Sequence, residues 1–153
     1  MSQPDRETVY AALLTLLQNT VGTGSPAAFT TVTRRFVTVS NAQPANMPYL
    51  IQVQKAEESQ TVKGMPTLHK YMVDLLIYIN YGSETSVVPE TALNALVTAV
   101  ENALAPNPVT GWQQLGIPVS SLVVNGKIEY DDMAGTDGNW GIALIPIEIV
   151  PNY

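Results

Sequence analysis

The chain has no cysteine and only one histidine among its 153 residues. These absences exclude a disulfide framework, a thiolate metal site and a cysteine nucleophile. A single histidine cannot supply the usual ligand set of zinc. The lack of cysteine suits a reducing cytoplasm, and we expect no bound metal ion.

Charged residues are also scarce, because Asp, Glu, Lys and Arg make up only 13% of the chain. That is about half the share typical of globular proteins. A monomer in water usually keeps a more charged surface for solubility. The composition therefore favours a protein that covers much of its surface with other copies or other proteins. The net charge of −6 argues against gripping nucleic acid through a basic patch.

Long hydrophobic runs are absent as well. The longest, at 75–79 and 142–147, are far shorter than the roughly 20 residues of a membrane-spanning helix, so we expect no membrane partner. The length fits one domain covering 1–153.

Two segments have the periodicity of amphipathic helices. Residues 4–18 place Pro4 in the first turn, where a missing N–H costs nothing, and Asp5 and Glu7 beside the positive end of the helix dipole. Residues 89–104 open on a proline and are followed by further prolines. Apolar residues recur at intervals of three and four in both segments: Val9, Ala12, Leu13, Leu16 and Leu17, then Leu93, Leu96, Val97, Val100 and Leu104.

The remaining patterns predict strands, in the order α-β-β-β-α-β-β. A long polar loop is expected at 56–69, and Asp137-Gly138 favours a tight hairpin between the last two strands. Short connections favour antiparallel pairing, so we predict an α+β two-layer domain: a mainly antiparallel sheet of four to five strands with two helices packed on one face. The predicted strands are 30–40, 49–55, 70–81, 121–130 and 140–150.

Alternation assigns the side chains of the sheet to two faces. Since two helices cannot cover both, the second face is either a contact between subunits or an ordinary surface with scattered apolar residues. The set expected to face the helices is Ile51, Val53, Tyr71, Val73, Leu75, Ile77, Val124, Ile128, Ala143, Ile145 and Ile147. The predicted oligomer interface on the second face is Met72, Leu76, Tyr78, Ile142 and Leu144, beside Asp74, Pro146 and Glu148.

No group of residues has the spacing of a known catalytic site. His69 lies near Asp74, but no Gly-x-Ser-x-Gly motif supplies a nucleophile. Asp131, Asp132 and Asp137 depart from the spacing of a calcium-binding loop and are typical of a turn. We therefore expect no catalytic, cofactor-binding or metal-binding residues, no cofactor and no enzymatic activity.

Several stretches of this chain resemble the tail terminator proteins of long-tailed bacteriophages. The resemblance spans nearly the whole chain and rests on element order and local patterns. Its stretches are DRETVYAAL at 5–13, RRF at 34–36, PYLIQVQ at 48–54, GMP at 64–66, LLIYI at 75–79, the helix at 89–104, NGKIE at 125–129 and IPIEI at 145–149.

The resemblance implies a structural role in the virion. Proteins of this family form a homohexameric ring that caps the finished tail tube, ends its polymerisation and joins it to the head-tail connector. The implied partners are the tail tube protein and the connector or neck protein. The implied location is the virion neck, after assembly in the host cytoplasm. Another neck or tail-completion protein of similar fold is an alternative, and a small non-viral binding module is a further one.

Two more expectations concern partners. The loop predicted at 56–69 is the expected contact with the tube or the connector, because a long loop in a compact domain is often functional. Its candidate contact residues are Glu57, Glu58, Lys63 and Met65. DNA is expected to pass through the lumen without specific binding, since an acidic chain repels phosphates.

Overall fold

A computed structural model describes residues 4–22, 28–82, 89–109, 113, 115, 119–135 and 138–151. The helices are α1 (Arg6–Val21) and α2 (Pro89–Leu104), and single 3-10 turns lie at Val39–Asn41 and Pro44–Asn46. The strands are β1 (Thr31–Thr33), β2 (Tyr49–Gln60), β3 (Leu68–Asn80), β4 (Val119–Val124), β5 (Glu129–Gly135) and β6 (Gly138–Pro151).

The six strands form one sheet in the order β1-β2-β3-β6-β4, with β5 also paired to β6. β1 is parallel to β2, and every other pairing is antiparallel. Because β3 occupies one edge of β6, β4 and β5 share the other edge, β4 along 147–151 and β5 along 138–144. The predicted α+β fold is confirmed, with one strand more than expected.

α2 begins at the predicted proline, whereas α1 begins at Arg6, so Pro4 precedes the helix and is not in its first turn as predicted. Asp5 caps α1, since its carboxylate accepts a hydrogen bond of 2.8 Å from the backbone N–H of Thr8. The bounds predicted for α2 are confirmed, whereas α1 continues beyond the predicted end to Val21. Each helix has 16 residues, and no helix in the described ranges is long and apolar enough to span a membrane.

Both helices cover the same face of the sheet. A Cβ built on Gly141 would lie 2.8 Å from Ile79 and 3.1 Å from Leu93, so the missing side chain lets α2 approach β6 closely. Burying a large aliphatic side chain here contributes about 1.5–3 kcal/mol to stability. The sheet residues of this core are Leu50, Tyr71, Val73, Leu75, Ile77, Ile79, Leu122, Ala143, Ile145, Ile147 and Ile149.

Two residues of the predicted helix-facing set lie on the wrong face, and a third, Val124, is on the predicted face opposite Ile147 but is not buried. Ile51 pairs with Leu76, and directly opposite residues share a face, so Ile51 and Val53 belong to the second face. Leu50 and the buried Gln52 face the helices instead, and the side-chain amide of Gln52 donates to the carbonyl of Tyr10 at 2.9 Å. Val124 is exposed.

Three predicted ranges also need correction. The strand expected at 30–40 is only the short β1, and the rest of that segment turns onto the second face. The loop expected at 56–69 is mostly strand, because β2 continues to Gln60 and β3 begins at Leu68. The strand expected at 121–130 is divided into β4 and β5 by a turn.

Candidate functional site

One end of the second face is covered by the chain itself. The segment 37–47 lies over Tyr49, Ile51 and Tyr78 and forms a second, smaller cluster of buried residues. The hydroxyl of Tyr78 donates to the carbonyl oxygen of Val37 at 3.0 Å, and its ring centroid lies 6.5 Å from that of Tyr49. This end is therefore an intramolecular core.

The five residues of the predicted oligomer interface accordingly divide into two groups. Tyr78 is only 4% exposed, so its assignment to a surface between subunits is corrected to a place in the small core. Leu76 and Ile142 are partly buried against the same cluster. Met72 and Leu144 are partly exposed and pack in neither buried cluster.

The uncovered part of the second face is mainly apolar. Besides Met72 and Leu144 it contains the partly exposed Pro146 and Val123, which is 46% exposed. We call these four residues the open patch. Val123 lies on this face through its pairing with Glu148, and the predicted set of interface residues did not include it.

Four charged groups beside the open patch form ion pairs, and a fifth, Glu129, lies opposite Leu144 on β5. Lys55 Nζ lies 3.8 Å from the Asp74 carboxylate, and Lys70 Nζ lies 3.5 Å from that of Glu148. The side-chain amide of Asn125 also donates to Glu148. These ion pairs lower the cost of covering this part of the second face with another protein surface, whereas Glu129 would need a partner on the covering surface.

The segment predicted as a loop is a protruding two-stranded ribbon, which we call the arm (residues 57–71). Its strands are held by cross-strand pairs: Lys70 Nζ lies 3.6 Å from the Glu58 carboxylate, and Ser59 Oγ lies 3.1 Å from His69 Nδ1. The tip exposes apolar side chains, and Met65 is 61% exposed. Lys63 and Met65 are therefore exposed at the tip of the arm, where a partner protein can reach them.

The base of the arm is fastened to α1 through Glu57. Both carboxylate oxygens of Glu57 accept from Arg6 Nε, at 2.7 and 2.8 Å, and the hydroxyl of Tyr10 donates to one of them at 3.0 Å. Burial, followed by this hydrogen bond, raises the pKa of Tyr10. Glu57 was predicted to touch a partner, but its carboxylate is engaged within the chain.

The carboxylates at the start of α1 predict a loss of stability in acid. The backbone N–H of Thr8 lowers the pKa of Asp5 below its ordinary value of 3.8, and the guanidinium of Arg34 lowers the pKa of Glu7 below 4.5. Their stabilising contributions are complete above the ordinary pKa values and are lost as the pH falls through the lowered ones. Thermal melts from about pH 5 to about pH 2 should show a smaller acid loss in the Asp5→Asn/Glu7→Gln variant. Equal losses in both proteins would contradict this assignment.

The histidine and the acidic residues do not assemble into one site. Alternation along β3 places His69 and Asp74 on opposite faces, and the His69 ring stacks on Tyr71 with a centroid distance of 6.0 Å. Asp131 and Asp132 lie in β5, and Asp137 lies outside the described residues. Within the described ranges no three His, Asp or Glu side chains are grouped to hold a metal ion.

A cavity of about 490 Å³ lies beside the arm. Glu58, His69 and Lys70 line it together with Val150 of β6. These groups supply charge of both signs and one apolar wall. The cavity therefore adds a concave surface to the same end of the sheet from which the arm projects.

No protein-family model and no curated protein matches this chain. A solved protein structure shares its fold, with a TM-score of 0.57 and 17% sequence identity over 97% of each chain. At that identity the likeness shows the α+β architecture alone, because one fold serves many functions.

Proposed function

We propose that this protein is a tail terminator of a long-tailed bacteriophage. In this proposal six copies form a ring that caps the tail tube, ends its polymerisation and joins it to the head-tail connector. The stretches behind the resemblance are distributed from residue 5 to residue 149, and the low share of charged residues suits a protein whose surface is largely covered in an assembly.

The observation that carries the proposal is the open patch on the face of the sheet opposite both helices. Its apolar residues lie beside ion pairs that already balance one another, Lys55 with Asp74 and Lys70 with Glu148. A neighbouring copy that covered this surface would bury apolar area, and it would have to present a polar or cationic group to Glu129, which lies opposite Leu144. The patch and the arm lie on one sheet, so copies joined through the patch would present their arms together.

The other proposed contacts follow from the arm and the overall charge. The tip of the arm, with Val62, Lys63 and Met65, is the proposed contact with the tail tube protein or the connector. DNA passes through the ring without specific binding, since a net charge of −6 repels phosphates. After assembly in the host cytoplasm, the ring is part of the virion neck.

Electron microscopy of the purified protein mixed with tubes of the cognate tail tube protein tests this function. We expect a ring on one end of each tube, and tubes that stop lengthening when more tube protein is added. Tubes that keep growing with free ends would contradict the proposal. A ring found at the connector but never on a free tube would favour another neck protein, and a monomer with a ligand in its cavity would favour a binding module.

The tip of the arm allows a prediction about joining. Met65→Asp is expected to reduce capping of tubes, because a charge replaces an apolar contact, while the free energy of unfolding stays within about 0.5 kcal/mol of the wild type. Val109→Asp is the matched control, since Val109 is 91% exposed and is not part of the arm. Capping by Met65→Asp at the wild-type level, scored by electron microscopy, would show that the tip does not contact the tube.

A further inference from the structure

Both edges of the sheet have an open segment. β1 pairs only with residues 49–51 of β2, so no strand in the described ranges adjoins the outer edge of β2 at 54–60. On the opposite edge, β4 pairs with β6 on one side and with no described strand on the other. Each open segment presents main-chain donors and acceptors to which an extended strand can bind.

The two open segments lie at the same level along the strand direction. The pairing registers connect Ala56 to Met72, Met72 to Glu148 and Glu148 to Val123. The next row runs from Glu57 through Tyr71 and Ile149 to Leu122. When copies are placed side by side, β4 of one copy therefore lies beside residues 54–60 of the next. Neither copy has to be displaced along the strand direction. A repeat without such a displacement can close into a ring instead of extending as a helix.

β4 has little of the protection that normally keeps an edge strand from pairing, although its register shifts between Val119 and Ser121. Natural edges are usually protected by charged side chains, proline, bulges or a covering element. Val119–Val124 contains no charged residue and no proline, and its Val123 and Val124 are exposed. A weakly protected edge of this kind indicates a strand that is paired in the functional state.

We infer that β4 of one copy adds to the outer edge of β2, residues 54–60, of the next copy and continues the sheet from subunit to subunit. The intervening strands alternate in direction, so β4 runs opposite to β2 and the new junction is antiparallel. β4 carries no charge, so Lys55 and Glu58 of the neighbouring edge oppose no like charge.

The inference rests on the proposed ring and adds a second contact to it, because a junction between strand edges continues the sheet and does not by itself cover the open patch on its face. A contact between two different edges leaves one open edge at each end of a pair, so it continues until the ring closes. A contact of β4 with β4 would instead stop at a dimer and leave both β2 edges open. The head-to-tail arrangement is the one that uses both edges.

Cysteine crosslinking tests the junction, because the natural chain contains no cysteine. Val123 and Ala56 lie in the same row of the sheet, so Val123→Cys of one copy would lie opposite Ala56→Cys of the next across the junction. Opposite residues of an antiparallel pair have Cβ atoms about 4.5–5.5 Å apart. We would oxidise each variant alone and the two mixed, with and without tail tubes. A disulfide-linked dimer is expected only in the mixture. Thr98→Cys, on the exposed side of α2, replaces Val123→Cys in the control mixture, where no dimer is expected.

The other outcomes separate the junction from the proposed tail role. Dimers of Val123→Cys alone would indicate β4 paired with β4. No dimer in any sample, or equal dimer in the Thr98→Cys mixture, would show that the two edges do not meet. Rings on tubes without the crosslink would leave the proposed function intact and reject this junction. The crosslink without capped tubes would support the junction and reject the tail role.

Discussion

Replacing Leu144 by lysine is expected to abolish ring formation and capping while the protein stays folded. Leu144 lies at the end of the open patch nearest the small core and packs in neither buried cluster. A lysine there would be forced out of water at a contact between copies, which costs several kcal/mol when a charge is buried without a partner. In the free protein it lies opposite Glu129 on β5, a favourable cross-strand pair. The free energy of unfolding should therefore change by no more than about 1 kcal/mol.

Two matched variants separate assembly from folding in this experiment. Leu144→Met keeps the volume and apolar character and should assemble normally. Leu76→Lys places the charge against the small core next to Leu144 and should lower the melting temperature instead. Light scattering and electron microscopy measure assembly, and denaturant unfolding measures stability. Normal rings from folded Leu144→Lys would remove the open patch from the interface.

Replacing Tyr78 by alanine is expected to lower the free energy of unfolding by about 3–5 kcal/mol, as large-to-small changes of buried aromatic residues do. The ring is buried under segment 37–47, and its hydroxyl is bound to the carbonyl of Val37. Tyr78→Phe removes only that hydrogen bond and should cost about 0.5–1.5 kcal/mol. Urea unfolding measures both changes.

The outcome for Tyr78 also separates two accounts of the second face. A loss of stability in the monomer is expected if segment 37–47 covers the ring. If Tyr78→Ala unfolds like the wild type but fails to assemble, the aromatic side chain of Tyr78 belongs to a contact between subunits. The sequence-based assignment would then be right and the intramolecular cluster wrong.

Helix positions were the most predictable part of the fold, because their signals are local. Pro89 and the apolar repeat that follows it determine both ends of α2. The end of α1 was harder to place, because the turn-rich sequence begins at Asn19 but the helix continues to Val21. Strand faces were predictable where alternation is strong, as in β3 and β6.

Pairing partners were less predictable, because they depend on distant residues. The arm has the composition of a loop, but Glu58 and Ser59 acquire cross-strand partners in Lys70 and His69 that make it a ribbon. The face of Ile51 follows from its register with Leu76, which no local pattern reveals.

The candidate surface was predictable in outline and wrong in extent. Alternation along β3 and β6 identified a second apolar face, and Met72 and Leu144 remain on its uncovered part. The segment after β1 was predicted as a strand, so its packing over Tyr78 was not foreseen. The open patch is consequently smaller than expected and extends toward Val123 on β4.

A reconstruction by electron cryo-microscopy of the ring on its tube, at a resolution that shows side chains, tests the central claim most directly. The account predicts that a neighbouring copy covers Met72, Leu144 and Pro146, and that no solvent channel separates it from them. A ring, or an unassembled protein on the tube, in which these three side chains face open solvent would contradict it.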